Sequence, residues 1–312
     1  MRDFVWVDEL DGGRADEVRN LLLAARDTDG RPEVAEDAGD TAGSAESALP
    51  GEFSGPRHLL CSDGPTGALV AYAHLDIHGD AFGRQVAELV VHPANRRQGH
   101  GAAVLGEVLR QARPDVRVWA HGDHPGAARL AERFGLTRAR ELLVMGVSTA
   151  GRDWGESRLP EGVRLRTFVP GADEQAMIDV NARAFDWHPE QGAFDVGALE
   201  AAERERWFDP EGFFLAENAD GTVIGFHWTK VHPPNPHRFD GLPVGEVYVV
   251  GVDPDAQGGG LGRALTLAGL RYLRDRGLRQ VVLYVEGDNA PAVAVYRKLG
   301  FEVVETDVQY AA

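Results

Sequence analysis

One pattern of eleven residues occurs twice in this chain, and any fold proposed for the chain has to accommodate both copies. The copies are VHPANRRQGHG at 91–101 and VDPDAQGGGLG at 252–262, and both read V-x-P-x-x-[QR]-x-x-G-x-G at an offset of 161 residues. Further matches follow in the same order at an offset of 165 residues, Asp123 with Asp288 and Gly135 with Gly300. Since two matched segments in the same order are improbable by chance, the sequence indicates a tandem duplication.

The duplication predicts two domains, and a length of 312 residues suits two domains of about 150 residues each. The segment STAGRDWGESRLPEG interrupts the hydrophobic periodicity with Gly, Ser and Pro, as a linker does. We therefore predict a first domain at 1–148, a linker at 149–160 and a second domain at 161–312. An acidic segment at about 26–56 lacks periodicity, which favours a flexible insertion over the alternative that part of it forms an active-site rim.

Charge and cysteine content argue against several classes of function. A formal net charge of −17 argues against non-specific binding to nucleic acid or to an anionic membrane. No apolar run approaches the roughly 20 residues of a membrane span, and MRDFVWVDEL at the start lacks the apolar core of a signal peptide. With Cys61 as the one cysteine, neither an intrachain disulfide nor a zinc site is expected. These features predict a cytoplasmic protein, and we expect a monomer.

Each loop follows a predicted strand and precedes a predicted amphipathic helix. After the second loop, apolar residues recur at helical spacing, namely Leu261, Ala264, Leu265, Ala268 and Tyr272. Such a turn leaves backbone N–H groups unpaired at the positive end of a helix dipole, which favours anion binding. A P-loop is disfavoured because Arg263 and Ala264 follow the last glycine, where Lys and Ser or Thr are needed. A dinucleotide site with Glu286 on the ribose stays an alternative, although Leu265 stands at its third glycine.

The closing segment of the second copy, DNAPAVAVYRKLGF at 288–301, adds a specific motif. Taken with the Q/R-x-x-G-x-G/A loop after a V-x-P strand end, it resembles the GNAT superfamily of acetyl-CoA-dependent N-acetyltransferases. The resemblance covers both halves of the chain. It implies an α/β fold of two tandem GNAT domains, each a mixed, mostly antiparallel twisted sheet flanked by helices. It also implies acetyl-CoA as co-substrate and no metal.

The resemblance assigns backbone positions to the coenzyme. The end of the strand is expected to pair with the pantetheine arm, and the loop N–H groups are expected to hold the pyrophosphate. In the second domain these positions are Val250, Gly251, Val252, Gln257, Gly258, Gly259, Gly260, Leu261, Gly262, Arg263, Asn289, Ala290, Pro291, Ala292, Val293 and Ala294. In the first domain they are Leu89, Val90, Val91, Arg97, Gln98, Gly99, His100, Gly101 and Ala102.

Amide formation from a thioester and an amine needs a base for the ammonium proton, a donor to the oxyanion and an acid for the leaving thiolate. The resemblance assigns the base to Glu246 on the strand before the second loop, and the acid to Tyr296 in the closing helix. A backbone N–H near Val250 is the expected donor to the oxyanion.

The first copy lacks these two groups. The offsets of 161 and 165 residues place Gln85 at the position of Glu246 and Ala131 at that of Tyr296, and neither side chain titrates. Glu88 falls an odd number of residues from Gln85, so it is expected on the other face of the strand. We therefore predict that the first domain is a degenerate, non-catalytic copy and that the second domain is catalytic.

Three further segments, AFDWHPEQG, GFHWTKVH and GEVYVVGVDP, resemble the mycothiol synthase family within this superfamily. The resemblance implies a small-molecule acceptor, cysteinyl-glucosaminyl-inositol, acetylated on its cysteinyl amine. It assigns acceptor contacts to Glu36, Glu190, Lys230, Glu246 and Tyr284. Carboxylates suit an ammonium and sugar hydroxyls, and a lysine donates to hydroxyl or carbonyl oxygens. Acetylation of an aminoglycoside-like amine or a protein N-terminus, or a coenzyme A sensor without turnover, remain alternatives.

Overall fold

A computed structural model describes residues 2–29, 57–64, 67–80, 82–155, 158–186, 194–234 and 239–312. The predicted acceptor residues Glu36 and Glu190 lie outside these ranges, as does most of the acidic segment. The chain forms two compact units. The first consists mainly of Met1–Glu141 with Thr306–Ala312, and the second of Leu142–Pro234 with Leu242–Glu305.

The sheet of the first unit has the strand order β1-β2-β3-β4-β5-β12. Its strands are β1 (Arg2–Val7), β2 (His58–Asp63), β3 (Leu69–Asp76), β4 (Val86–Val91), β5 (Arg117–Ala120) and the end of β12 (Glu302–Ala311). Only β4 and β5 pair in parallel, and the other neighbours pair antiparallel. The helices are α1 (Gly12–Asp29), α2 (His100–Gln111) and α3 (Pro125–Phe134).

Helix α1 extends into the predicted acidic segment. The sequence predicts a flexible insertion from about residue 26, but the helix continues to Asp29. The extension has a tertiary cause, because both carboxylate oxygens of Asp29 accept hydrogen bonds of 2.7 Å from Arg96. Residues 26–29 therefore do not belong to a flexible insertion.

The second unit has the strand order β6-β11-β10-β9-β8-β7. Its strands are the end of β6 (Thr137–Ser148), β7 (Arg164–Thr167), β8 (Phe213–Glu217), β9 (Val223–His232), β10 (Val244–Val252) and β11 (Gln280–Glu286). Here β10 and β11 are the parallel pair. The helices are α4 (Glu174–Ala184), α5 (Val196–Glu203), α6 (Leu261–Asp275) and α7 (Ala290–Lys298). The main core of this unit lies between the sheet and the helices α6 and α7.

The predicted α/β fold class is confirmed, since each unit is a mixed, mostly antiparallel sheet with helices. The pairing of the last strands is not sequential along the chain. Strand β6, which ends the first half of the sequence, pairs with β11 from Gln280 to Glu286. Strand β12, which ends the second half, pairs with β5 through Val308–Ala311. Each half of the sequence thus contributes the end of its last strand to the other unit.

Candidate functional site

The two loops that share the sequence pattern also share a backbone conformation. His92 has φ −51° and ψ 130°, and its counterpart Asp253 has φ −49° and ψ 128°. Gly99 has φ 84° and ψ 7°, and its counterpart Gly260 has φ 83° and ψ 7°. Such close agreement at both ends of the loop supports the duplication inferred from the sequence.

The proline and the long polar residue of the pattern stabilise the loop itself. Pro93 and Pro254 each begin a single 3-10 turn. Arg96 Nε donates to the Val91 carbonyl at 3.2 Å, and Gln257 Nε2 donates to the Val252 carbonyl at 3.3 Å. These side chains fold back onto the last residue of the strand. The Arg96 guanidinium is also neutralised by Asp29, so it is not an open anchor for phosphate.

Both loops end in a helix whose first turn is uncapped. Gly99 precedes α2 and Gly260 precedes α6, and neither glycine offers a side chain to the first N–H groups. The left-handed backbone at Gly260 is one that glycine adopts without steric cost. Arg97 takes φ 64° where the second loop has Gly258. N–H groups at the positive end of a helix are suited to a phosphate or pyrophosphate.

The parallel strands before each loop separate part of the way along. Strands β10 and β11 pair only from Gly245 to Val247 among the described residues. Strands β4 and β5 pair only at Val86 and Ala87 among those residues. Beyond these points Val250–Val252 and Leu89–Val91 have one edge that is not paired with the parallel neighbour. An extended chain can add to such an edge by β-strand addition.

The open edge of the first unit borders a cavity of about 670 Å³. The cavity is lined by every predicted coenzyme position of this unit except Gln98. The Gln98 carbonyl accepts from Arg2, and its amide donates to the Ala94 carbonyl at 3.3 Å. Asp29 also lines the cavity, so one residue of the predicted acidic segment does border a candidate site.

At the corresponding place in the second unit, the predicted coenzyme positions after β11 form the start of α7. The Asn289 side chain accepts from the Ala292 N–H at 3.2 Å and caps this helix. Pro291 lies in the first turn, where a missing N–H has no cost. The side chain of Asn289 is thus engaged in capping.

Three of the predicted catalytic and acceptor residues share one face of the second sheet. Glu246 lies opposite Lys230 on β9 and Val282 on β11. Tyr284 follows Val282 by two residues and therefore points to the same side. The other side is covered by α6, because a Cβ on Gly245 would lie 3.0 Å from Leu273. The structure brings Glu246, Lys230 and Tyr284 onto one face of the sheet.

Glu246 is buried and hydrogen-bonded to His232, a residue that is not predicted from the sequence. Only 6% of Glu246 is exposed, and its Oε2 lies 2.6 Å from His232 Nε2. From the sequence alone, structural or loop roles are expected for the histidines of HWTKVH, in preference to metal ligation. The sequence signal that could identify His232 is the two-residue period of a strand. His232 and Lys230 differ by two positions, so both side chains lie on the face of Glu246.

The Lys230 ammonium lies over aromatic rings. Its Nζ is 4.6 Å from the ring centroid of Trp207 and 5.3 Å from that of Tyr248. Both distances are within the range of a cation–π interaction. Tyr248 occupies a β-bulge in β10, where the register with β9 shifts between Val247 and Val249.

Tyr296 packs on the opposite side of the sheet, against the core between the sheet and α6 and α7. Its ring makes an edge contact with Phe301 at a centroid distance of 5.8 Å. Burial raises the pKa of Tyr296 to about 12 because a phenolate would lose its hydration. The hydroxyl is therefore protonated throughout the neutral range, as a proton donor requires.

The bulge at Tyr248 changes which residue of the first unit corresponds to Glu246. On its two neighbouring strands, Glu246 pairs with Lys230 and Val282. The residue at the corresponding position of the first unit is Val86, which pairs with Asp76 and Arg117. Gln85 is therefore the wrong counterpart, because the bulge adds one residue to the second strand and changes the offset. The Gln85 side chain instead accepts from the Arg113 N–H at 2.8 Å.

The same correction changes the expected position of Glu88. This residue follows Val86 by two positions, so it shares the face that corresponds to Glu246. Glu88 Oε2 lies 3.4 Å from His121 Nε2, and Asp307 Oδ2 lies 3.4 Å from His121 Nδ1. Glu88 and His121 both line the first cavity. Val86 and Ala131 have no titratable group, but the titratable side chains of Glu88 and His121 border this cavity.

Comparison with known proteins agrees with this geometry. The model of the acetyltransferase (GNAT) family matches residues 19–136 and again residues 178–301. The chain therefore belongs to the acetyltransferase (GNAT) family, and it is an N-acetyltransferase. Each match contains one of the two glycine loops and the strands that separate before it.

Within this family, the chain is similar over its full length to mycothiol acetyltransferases. It is 73% identical to the one from Saccharomonospora viridis, with 100% of this chain and 99% of that protein covered. It is 62% identical to the one from Amycolatopsis mediterranei, with 99% of this chain and 98% of that protein covered.

Solved structures support the same fold. A GCN5-related N-acetyltransferase from Sphaerobacter thermophilus matches with a TM-score of 0.69 at 23% identity, over 99% of this chain and 95% of that one. A tandem GNAT protein from the clavulanic acid biosynthesis pathway matches with a TM-score of 0.64 at 21% identity, over 100% of this chain and 98% of that one. At these identities the likeness concerns the fold alone.

Proposed function

We propose that this chain transfers the acetyl group of acetyl-CoA to the cysteinyl amine of cysteinyl-glucosaminyl-inositol, which gives mycothiol. The observation that carries the proposal is the 73% identity to a mycothiol acetyltransferase over the whole chain. The shared face of Glu246, Lys230 and Tyr284 supports it, since these are the positions that the family resemblance assigns to the acceptor.

Donor binding is assigned to the backbone of the second unit. The uncapped start of α6 after Gly260 provides N–H groups for the pyrophosphate, and the open edge Val250–Val252 fits the amide groups of the pantetheine arm. Acetyl-CoA supplies the activated acyl group and its thiolate leaving group. The backbone N–H near Val250 is the proposed donor to the oxyanion.

The acceptor is proposed to bind on the face of Glu246. Its ammonium and hydroxyl groups suit the carboxylate of Glu246, and Lys230 and Tyr284 offer donors to oxygen atoms. The predicted contacts with Glu36 and Glu190 would complete this site. Glu246 takes the proton that the amine loses, and Tyr296 on the other side of the separated strands gives a proton to the thiolate.

The first unit is proposed to bind a coenzyme molecule without catalysing transfer. Its cavity has the loop and open edge of a coenzyme site. Val86 and Ala131 stand at the positions of Glu246 and Tyr296, so both assigned proton-transfer groups are missing. The catalytic domain is then the second predicted one, at 161–312.

Incubation of the purified chain with acetyl-CoA and cysteinyl-glucosaminyl-inositol tests the proposal. Mass spectrometry should show one added acetyl group on the cysteinyl nitrogen, with one coenzyme A thiol released per product. Glucosaminyl-inositol, which lacks the cysteinyl amine, is the matched control and should not be acetylated. Release of thiol without acetylated product, or equal turnover of the control, would contradict the proposal.

A further inference from the structure

The two carboxylate oxygens of Glu246 lie in different environments. Oε2 lies 2.6 Å from His232 Nε2, and both residues are buried, at 6% and 8% exposure. Oε1 makes no hydrogen bond with any described residue. A carboxylate acts as a general base through an oxygen that can accept the substrate's proton, and a hydrogen bond to its other oxygen can hold the group in place.

The pairing of strands explains why His232 reaches Oε2. His232 lies opposite Val244, two residues before Glu246 on the same strand. The imidazole therefore approaches the carboxylate diagonally across the sheet, on the face they share. For this contact to stabilise an ionised carboxylate, Nε2 carries the proton and donates it.

Lys230 lies opposite Glu246 but its charge is directed elsewhere. Its ammonium contacts the rings of Trp207 and Tyr248, and no ion pair joins it to Glu246 among the described residues. The side chain of the neighbouring Val282 on β11 has no hydrogen-bond donor. Among the described side chains, His232 is thus the one that donates to this buried carboxylate.

We propose that His232 is the positioning residue of the catalytic base. Its Nε2–H holds Oε2 of Glu246, which turns Oε1 towards the acceptor amine. In the transfer step the amine nitrogen attacks the thioester carbonyl and forms the C–N bond, and the C–S bond breaks when the tetrahedral oxyanion collapses. The proton released by nitrogen goes to Oε1, and the thiolate receives the proton of Tyr296. This role rests on the function proposed above.

The length of the side chain at position 232 provides the test. In His232→Gln the amide nitrogen takes the place of Nε2, so the donor is kept without an imidazole. In His232→Asn the amide is too short to reach Oε2, which makes it the matched control. We expect His232→Gln to keep kcat within about threefold of the wild type, and His232→Asn to lose about 10- to 100-fold. The KM for acetyl-CoA should change less than about twofold in both.

A second background separates positioning from a purely structural effect. In the Glu246→Gln background, His232→Asn should cause no further loss of kcat beyond about twofold, because both changes act on one carboxylate. Calorimetric titration must give the wild-type number of bound acetyl-CoA molecules, because a variant whose second unit is unfolded would still bind one in the first unit. His232→Ser repeats the measurement if the asparagine variant binds fewer molecules than the wild type.

The outcomes distinguish this inference from the proposed function. A wild-type chain that does not acetylate cysteinyl-glucosaminyl-inositol contradicts the proposed function. An active wild type with equal losses in His232→Gln and His232→Asn overturns the role of His232. The same holds if His232→Asn keeps full kcat, or if its loss is undiminished in the Glu246→Gln background.

Discussion

His227 shows how strongly one buried residue in the second unit depends on its surroundings. The ring is fully buried, and Nδ1 donates to the Leu265 carbonyl at 2.7 Å. Gly269 makes room for it, because a Cβ there would lie 2.0 Å from His227 Cε1. Burial lowers the pKa of His227 to about 4, since an imidazolium would lose its hydration in this core.

The pKa of His227 predicts a loss of stability in acid. Between pH 6.5 and about 4 the unfolded chain binds a proton at this residue that the folded chain does not, so the free energy of unfolding falls as the pH falls. The contribution is about 3 kcal/mol across this window. Urea unfolding at pH 7 and at pH 4.5 measures it. In His227→Gln the pH dependence should be smaller, and an unchanged dependence would contradict the argument.

Tyr296 carries a prediction on chemistry at the same scale. Replacing it by Phe keeps the ring contact with Phe301 and removes the hydroxyl. We expect kcat to fall by about 10- to 100-fold, because the thiolate then leaves without a proton donor. Acetyl-CoA affinity, measured by calorimetry, should stay within about twofold. A variant with wild-type kcat would exclude Tyr296 as the acid.

At the scale of elements, the strand-loop-helix unit is the part that the sequence predicts best. Its conformation depends on local residues, because Pro93 and Pro254 start the turns and Gly99 and Gly260 adopt positive φ. Features set by distant contacts escape a local reading. Examples are the extension of α1, held by the Asp29–Arg96 pair, and strand β1, whose sequence has no strong alternation.

The bulge at Tyr248 is a second feature of elements that sequence offsets cannot reveal. An extra residue in one strand of a pair changes neither the loop that follows nor the alternation that precedes it. The match between the loops therefore stays correct while the match to Glu246 moves from Gln85 to Val86. Reading Glu88 through the uncorrected offset assigns it to the wrong face.

The first glycine loop can be tested as an element. A glutamate at Gly99 is strained, because the residue has φ 84°, a backbone conformation that residues with a side chain rarely adopt. The added carboxylate also opposes an anion at the start of α2. We expect Gly99→Glu to lower the number of acetyl-CoA molecules bound, measured by calorimetry, and to leave kcat within about threefold. A folded, fully occupied variant without activity would contradict a non-catalytic first unit.

At the scale of the whole molecule, duplication predicts two similar units, and the structure has them. Which strand completes each sheet is not visible in the sequence, because β6 and β12 have the same strand character whichever partner they take. For the candidate site, the structure places Glu246, Lys230 and Tyr284 on one face of the sheet, and their assignment to the acceptor stays a prediction. His232 is recognised only from its contact with Glu246. None of the helices in the described parts of the chain combines the length and the hydrophobicity of a transmembrane span.

The division of chemistry between the units is the central claim, and one pair of variants tests it directly. Glu246→Gln and Glu88→Gln make the same change in the two units, at carboxylates that lie on corresponding faces of the two sheets. The quantity to measure is kcat for acetylation of cysteinyl-glucosaminyl-inositol. Glu246→Gln should lower it by on the order of 100-fold or more, and Glu88→Gln should leave it within about twofold. A large loss in Glu88→Gln with little loss in Glu246→Gln would contradict the account.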